Sequence, residues 1–192
     1  VEAAGSDAET VLANLGLSSD FDLSTSNPLE NIQAQKVNAS LINIIAIGEG
    51  LLEGAGLSDS AGDELIVAQI VQILKTGTDI SSAASIKSII DTTSAGLSDA
   101  IKTKVDVLSN NVAQSLANTN AQINDAGSVS QIATYQKATL DDTSSLLSSV
   151  IAAVQSDSST LEVVTATSIE TQAKAAALDL GVNVSPFITL DS

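Results

Sequence analysis

Residues 98–125 read SDAIKTKVDVLSNNVAQSLANTNAQIND, and this stretch determines the predicted fold. Its aliphatic side chains recur at intervals of three, four or seven residues, at Ile101, Val105, Leu108, Val112, Leu116 and Ile123. That spacing predicts an α-helix from about Asp99 to Asn124, with Ser98 as its N-cap. Because the aliphatic stripe is narrow and flanked by Ser, Thr and Asn, we expect this helix to pack in a bundle.

Two further long helices are predicted after it. The residues GSVS at 127–130 form a turn into a helix over roughly 130–156, which SDSS at 156–159 ends. A third helix lies within 160–181 and ends at Gly181. Three helices joined by short loops are most simply antiparallel neighbours. The sequence therefore predicts an all-α fold, a helical bundle in which three long C-terminal helices pack with shorter N-terminal helices.

The first two of the shorter helices are indicated by their capping residues. SDAE at 6–9 matches a capping box for a helix that ends at Gly16. NPLE at 27–30 provides Asn27 as a cap and proline at the first helical position. The second helix is therefore predicted to run from this point to about Glu53.

Two more short helices complete the N-terminal half. One is capped near Ser60 and stops at Gly77, although its β-branched residues leave a strand as the alternative. The next is capped by Asp79 and stopped by Gly96. Both predictions depend on the usual positions of hydroxyl, carboxylate and glycine residues at helix ends.

The chain is expected to form one helical domain over 1–181, with a subdivision into 1–96 and 97–181 as an alternative. Residues 182–192, VNVSPFITLDS, alternate apolar and polar residues and contain a proline. This pattern predicts an extended linker or the first strand of a following domain. We therefore expect the domain to belong to a longer secreted chain.

Composition excludes several classes of function. The 192 residues include no Cys, His, Met or Trp, and the seven basic residues are all lysine. Without Cys and His, zinc, haem, iron–sulfur and copper sites lose their usual ligands. The chain also lacks both a thiol nucleophile and the side chain that exchanges protons most readily near neutral pH.

The net charge of the chain limits the kinds of molecule that it can bind. The 23 acidic residues give a net charge of −16, which disfavours binding to nucleic acid or to an anionic membrane. The most apolar window, 41–57, is interrupted by acids and glycines, whereas a membrane span needs about 20 mostly apolar residues. A strongly acidic, cysteine-free surface is expected for an extracellular or cell-surface protein, with calcium as a candidate surface counter-ion.

A calcium loop is the alternative for the acidic segment that begins at Asp20. Asp20, Asp22 and Ser24 occupy the first, third and fifth positions of a helix–loop–helix calcium site. Thr25 then stands where glycine is needed, and Asn31 where a bidentate Glu is needed. We therefore interpret the segment as turn and helix-capping chemistry.

No enzyme signature is present elsewhere. The adjacent acids Asp63–Glu64 and Asp141–Asp142 would point in different directions on a helix, so neither pair is expected to converge on a substrate. Ser85 and Lys87 are too closely spaced to share a helical face as nucleophile and base. Residues 48–56, GEGLLEGAG, lack the lysine of a phosphate loop, and their glycines are expected to kink a helix. We predict no catalytic, cofactor-binding or metal-ligating residues.

Residues 15–44 resemble a helical module found in very large secreted or surface proteins of bacteria. The matching features are Leu15–Gly16–Leu17, Asp22–Leu23, the helix start at Asn27–Pro28 and the pair Gln35–Lys36. The resemblance implies a helical module placed between repeated β-domains of an adhesin-like or matrix protein. It brings no catalytic residues with it.

The sequence thus predicts a non-enzymatic extracellular module with a structural, adhesion or assembly role. Its partners are expected to be other protein domains or copies of itself, bound through helix faces. Two alternatives stay open: a helical carrier of a small apolar ligand such as a lipid or pigment, and a filament or surface-layer subunit.

Overall fold

The computed structural model describes residues 8–15, 17, 30–57, 62–76, 78–141, 145–156 and 161–183. Within these residues the chain is all-α and forms a packed bundle of eight helices without a strand, which confirms the predicted fold class. The helices are α1 Ala8–Asn14, α2 Ile32–Gly54, α3 Gly62–Thr76, α4 Ala83–Ala95, α5 Asp99–Asp125, α6 Val129–Leu140, α7 Leu146–Gln155 and α8 Ala166–Asp179.

The predicted single helix over 130–156 was wrong, because the chain breaks there between α6 and α7. Asp141 follows α6 in an extended conformation, with φ −64° and ψ 144°. Ser145 then caps α7, and its Oγ accepts a hydrogen bond from the Ser148 N–H at 3.2 Å. Hydroxyl and carboxylate side chains compete with the helical backbone for hydrogen bonds, which favours a break at this point. Of the three long helices predicted, α5 has the expected length.

Two helix starts differ from the predicted ones because another side chain provides the cap. Asn31 caps α2, and its Oδ1 accepts hydrogen bonds from the N–H groups of Gln33 and Ala34 at 2.9 and 3.0 Å. Ser82 caps α4, whereas the predicted cap, Asp79, lies in the turn before it. The predicted starts at Ser6, Asn27 and Ser60 lie outside the described residues.

Two helices end in the left-handed turn that favours glycine. Gly56 follows α2 with φ 109°, and the N–H of Leu57 donates to the Leu52 carbonyl at 3.0 Å. α8 ends in the same way at Gly181, with φ 67°, which agrees with its predicted stop. Only glycine adopts this conformation without a steric penalty from Cβ.

Glycines inside α2 allow close packing rather than interrupting the helix. A Cβ on Gly48 would lie 2.8 Å from Ile66 Cδ1 of α3, and one on Gly50 would lie 2.5 Å from Leu147 Cδ1 of α7. Both distances are shorter than normal carbon contacts. α2 continues through both positions and brings α3 and α7 close to its backbone.

Two hydrophobic clusters fill the bundle, and α2 and α5 contribute to both. The larger cluster combines α2, α3, α4, α5 and α7, so it takes side chains from both sides of position 97. Its largest fully buried residues are Ile44, Ile47, Leu51, Leu52, Ile66, Ile86, Ile89, Ile90, Val105, Leu108 and Leu116. The smaller cluster lies around α6 and α8 and contains Ala39, Ile123, Ala126, Ile132, Tyr135, Ala138, Ile169, Ala173, Ala176 and Ala177.

Candidate binding groove

Four buried polar side chains, and the backbone carbonyl of the exposed Asn124, lie along the interface of the two central helices. Lys36, Ser40 and Asn43 lie on α2, and Asn120 and Asn124 lie on α5. The spacing of three or four residues places each set on one helical face. Asn43 and Asn120 are 0% exposed, Ser40 is 6% exposed and Lys36 is 8% exposed. We call these five residues the polar seam.

The polar seam contains fewer hydrogen bonds than its groups could form. Lys36 Nζ donates to the Asn124 carbonyl at 2.7 Å. Asn43 Nδ2 donates to Asn120 Oδ1 at 3.4 Å, beyond the usual 2.7–3.2 Å for such a bond.

Unpartnered buried atoms are concentrated in the polar seam. Ser40 Oγ, Asn43 Oδ1 and Asn120 Nδ2 have no hydrogen-bond partner within the described part of the chain. Of the four buried side-chain atoms in this condition among the described residues, three thus belong to the seam. Since buried polar groups are nearly always paired in folded proteins, this concentration marks the interface as unusual.

A groove opens to solvent beside one end of the polar seam. It has a volume of about 470 Å³ and lies between the end of α1, the first half of α2, the turn before α4 and the end of α5. We call it the seam groove. Its polar lining residues, among those described, are Asn14, Gln33, Ser40, Asp79, Ser81 and Asn124.

Two walls of the seam groove are fixed by hydrogen bonds within the protein. Asn14 Nδ2 donates to the Leu74 carbonyl at 2.8 Å, which leaves the Oδ1 of this amide as an acceptor. Asp79 Oδ1 accepts from the Ser81 N–H at 2.8 Å and from Ser81 Oγ at 2.7 Å. The groove is therefore lined in part by side chains that already form hydrogen bonds within the protein, and the Ser40 Oγ is buried beneath its surface.

Two other grooves differ from the seam groove in their polar groups. One, of about 320 Å³, lies between α6 and α8, where a hydrogen bond to Asp141 raises the pKa of Lys137 above its usual range. The other, of about 420 Å³, lies between α3 and α4. In neither groove does a described lining residue carry a buried polar atom without a partner.

The acidic pairs considered from the sequence are engaged in local interactions. Asp63 and Glu64 lie in the first turn of α3, where Asp63 Oδ1 accepts from the Glu64 N–H at 2.7 Å. Asp141 forms an ion pair with Lys137, while Asp142 lies outside the described residues. Carboxylates in the first turn also complement the positive end of the helix dipole, which accounts for the acids of α3.

Ser85 and Lys87, considered as a nucleophile and its base, are likewise not brought together. Ser85 Oγ lies 2.8 Å from Ser82 Oγ at the start of α4, whereas Lys87 forms an ion pair with Asp91. Of the segment considered for calcium, residues 20–29 lie outside the described residues and stay a prediction, whereas Asn31, at the twelfth position, is the N-cap of α2.

The polar seam was missed from the sequence, although a signal for it is present. Asn120 lies four residues after Leu116 and three before Ile123, on the aliphatic stripe of α5. On α2, Lys36 and Asn43 lie seven residues apart, about two helical turns, and so occupy one face of that helix. Polar residues at positions where the helical period calls for aliphatic ones indicate buried polar groups.

The described residues contain no helix that is long and apolar enough to cross a membrane. Nor do they contain a group of three or more His, Cys, Asp or Glu side chains placed to hold a metal ion. Comparison with known proteins gives no match to a protein-family model, a curated protein or a solved structure.

Proposed function

We propose that the chain is a non-enzymatic extracellular structural module, of the adhesion or assembly type, that acts through helix-face contacts with other protein domains or with copies of itself. One observation carries this proposal. At the C-terminal end of α8, Leu178 is 68% exposed and Leu180 is 47% exposed. Burying such side chains against a partner removes apolar surface from water at about 25 cal/mol per Å².

We expect the binding partner at this end of α8 to be a second copy of the chain. Asp179 stands exposed between the two leucines, so pairing of two copies brings like charges together. The net charge of −16 opposes association further. Counter-ions reduce both repulsions, since the Debye length falls to about 8 Å at physiological ionic strength. Calcium would therefore act as a surface counter-ion that permits apolar contact.

Two further observations agree with a structural role. The larger hydrophobic cluster joins five helices around α2, and glycines in α2 allow α3 and α7 to pack tightly against it. The resemblance of residues 15–44 to a module of large bacterial surface proteins has the same implication. The grooves have mixed polar and apolar linings, so no observation favours a carrier of an apolar ligand over this proposal.

Sedimentation velocity tests the proposal with the chain alone. We expect the wild type to associate as its concentration rises in calcium-containing buffer, and to associate less in a low-salt buffer with a chelator. The variant Leu178→Ser/Leu180→Ser should remain monomeric in both. The matched control Val67→Ser/Val107→Ser replaces two exposed valines elsewhere, 41% and 48% exposed, and should behave as the wild type does.

Two results would overturn the proposal. One is a wild type that remains monomeric under all of these conditions. The other is association that is equally strong in the variant lacking both leucines, because the contact would then lie on another face.

A further inference from the structure

The polar seam lies between the two hydrophobic clusters of the bundle. On α5, Leu116 belongs to the larger cluster and Ile123 to the smaller one, with Asn120 between them. On α2, Ser40 and Asn43 likewise separate the buried residues of the two clusters. Three atoms of these polar side chains are buried without a hydrogen-bond partner among the described residues. The layer that joins the clusters therefore contributes less stability than a fully paired or apolar layer would.

The smaller cluster buries less apolar surface per residue than the larger one. Six of its ten buried residues are alanine, whereas only three of the twenty-two in the larger cluster are. Because the free energy of burial grows with the apolar area removed from water, an alanine contributes less than a leucine or an isoleucine. We therefore expect the two helices around the smaller cluster, α6 and α8, to open at a lower free energy than the rest of the bundle.

Both of these helices are joined to the rest of the chain through non-helical backbone. Ala126 separates α5 from α6, with φ −59° and ψ 132°, and Asp141 follows α6 in an extended conformation. α8 begins after Thr165, its N-cap, which is also extended. Movement of α6 and α8 away from the bundle therefore requires rotation at these residues and no bending of a helix.

The segment that leads into α8 is fixed to α5 by three side chains. Asn111 Nδ2 donates to the Leu161 carbonyl at 2.7 Å, and Asn118 Nδ2 donates to the Val164 carbonyl at 2.8 Å. The Val164 N–H donates to Ser115 Oγ at 2.9 Å. Leu161 also belongs to the larger cluster. This segment is therefore expected to stay with the larger cluster when α8 moves.

We propose that α6 and α8 open together as one unit, with the polar seam as its boundary, while the larger cluster stays folded. In the open form, Ala39 and Ile123 beside the seam lose their cover. Water then reaches Asn43 Oδ1 and Asn120 Nδ2, and their hydration offsets part of the cost of exposing the alanine-rich faces of α6 and α8. This inference goes beyond the structural role proposed above and does not depend on it, because the opening requires no partner.

Amide hydrogen exchange, followed residue by residue by NMR under native conditions, tests the inference. A low protein concentration ensures that association does not protect α8. We expect the most protected amides of α6 and of α8 to share one protection factor, at least tenfold below that of the slowest amides of α4. Low concentrations of urea should reduce the protection of both helices with a common slope.

Two matched substitutions show whether the unit is separate. Ile89→Val, at a fully buried position of the larger cluster, destabilises the closed and open forms equally relative to the unfolded chain. It should therefore speed exchange of the slowest α4 amides about two- to tenfold and leave α6 and α8 unchanged. Ile169→Val, in the smaller cluster, destabilises the closed form alone and should speed exchange in both α6 and α8 by a similar factor.

The double variant Asn43→Leu/Asn120→Ala tests the role of the polar seam in the opening. Its open form gains no hydrated amide at the seam, so exchange in α6 and α8 should slow about tenfold. Asn110→Ala, which removes an exposed amide of α5, should leave exchange in both helices unchanged.

Three outcomes would overturn the inference. Clearly different protection factors in α6 and α8 would mean that the two helices open independently. Exchange in α6 and α8 that Ile89→Val speeds as much as exchange in α4 would mean that the bundle opens as a whole. Unchanged exchange in the double variant would mean that the seam amides stay buried when α6 and α8 open.

Discussion

The Asn43–Asn120 pair offers a quantitative test of the polar seam. We expect the double variant Asn43→Leu/Asn120→Ala to be more stable than the wild type. Each of the two unpartnered atoms, Asn43 Oδ1 and Asn120 Nδ2, costs about 1–3 kcal/mol through lost hydration. Removing both atoms should therefore raise the free energy of unfolding by about 2 kcal/mol, if each costs the low end of that range. The 3.4 Å hydrogen bond that is lost subtracts at most about 1 kcal/mol.

The packing of the new side chains also affects the stability of the double variant. Leucine has the branching of asparagine at Cγ, and alanine on α5 leaves room for its larger volume. We expect a net stabilisation of about 1–3 kcal/mol. Each single substitution leaves the partner amide wholly unpaired, so it should be clearly less stable than the double variant.

Urea unfolding of the wild type, the two single variants and the double variant provides the measurement, provided that the m-values agree. Asn110→Ala is the matched control. Asn110 donates to Asn111 Oδ1 at the same 3.4 Å but is exposed, so the unfolding free energy should change by no more than about 0.5 kcal/mol. A double variant less stable than the wild type by about 1 kcal/mol or more would refute the reasoning, because the amides would then have partners.

Two further predictions concern a helix end and the tyrosine. Gly56→Ala should lower the unfolding free energy by roughly 1–2 kcal/mol, because φ is 109° there, whereas Gly96→Ala, at φ −85°, should be neutral or slightly stabilising in the same urea assay. Equal effects would contradict this account. Burial, and then the charges of Glu170 and Asp125, raise the pKa of Tyr135, so the absorbance of this single tyrosine should show phenolate forming above the ordinary pH of 10.0. Because the folded-state pKa is raised, the corresponding stability is present below pH 10.0 and lost as pH rises through the folded pKa. Thermal unfolding of Tyr135→Phe should show a smaller loss at high pH, and phenolate formation at or below pH 10.0 would contradict the prediction.

Most helices could be predicted from the sequence because their ends carry local signals. Ser98 and the aliphatic stripe after it located α5, which ends at Asp125, one residue from the predicted end. Gly181 located the end of α8 for a similar reason. These features depend on a few neighbouring residues, so periodicity and capping preferences are sufficient.

The break between α6 and α7 could not be found in this way. Apolar residues at Leu140 and Leu147 continue the helical period across it, while the residues that stop the helix are polar and occur within helices elsewhere in the chain. The choice of cap was also uncertain, because Asp79 and Ser82 both suit the position. Tertiary packing decides between such alternatives.

The seam groove was beyond the reach of periodicity alone. Asn14, Asp79 and Asn124 come from the end of α1, the turn before α4 and the end of α5, and only tertiary packing brings them together. The polar residues on the aliphatic stripes indicated that buried polar groups exist. They did not indicate which of those groups would lack partners, since that depends on distances such as the 3.4 Å between Asn43 and Asn120.

Hydrogen–deuterium exchange at low and high protein concentration, in calcium-containing buffer, tests the central proposal most directly. If the chain associates through the exposed end of α8, amides around Leu178 and Leu180 should gain protection as concentration rises. The amides of α3 and α5 near Val67 and Val107, which are also exposed, should not change. Protection that appears on α3 or α5 instead, or nowhere, would contradict the proposal.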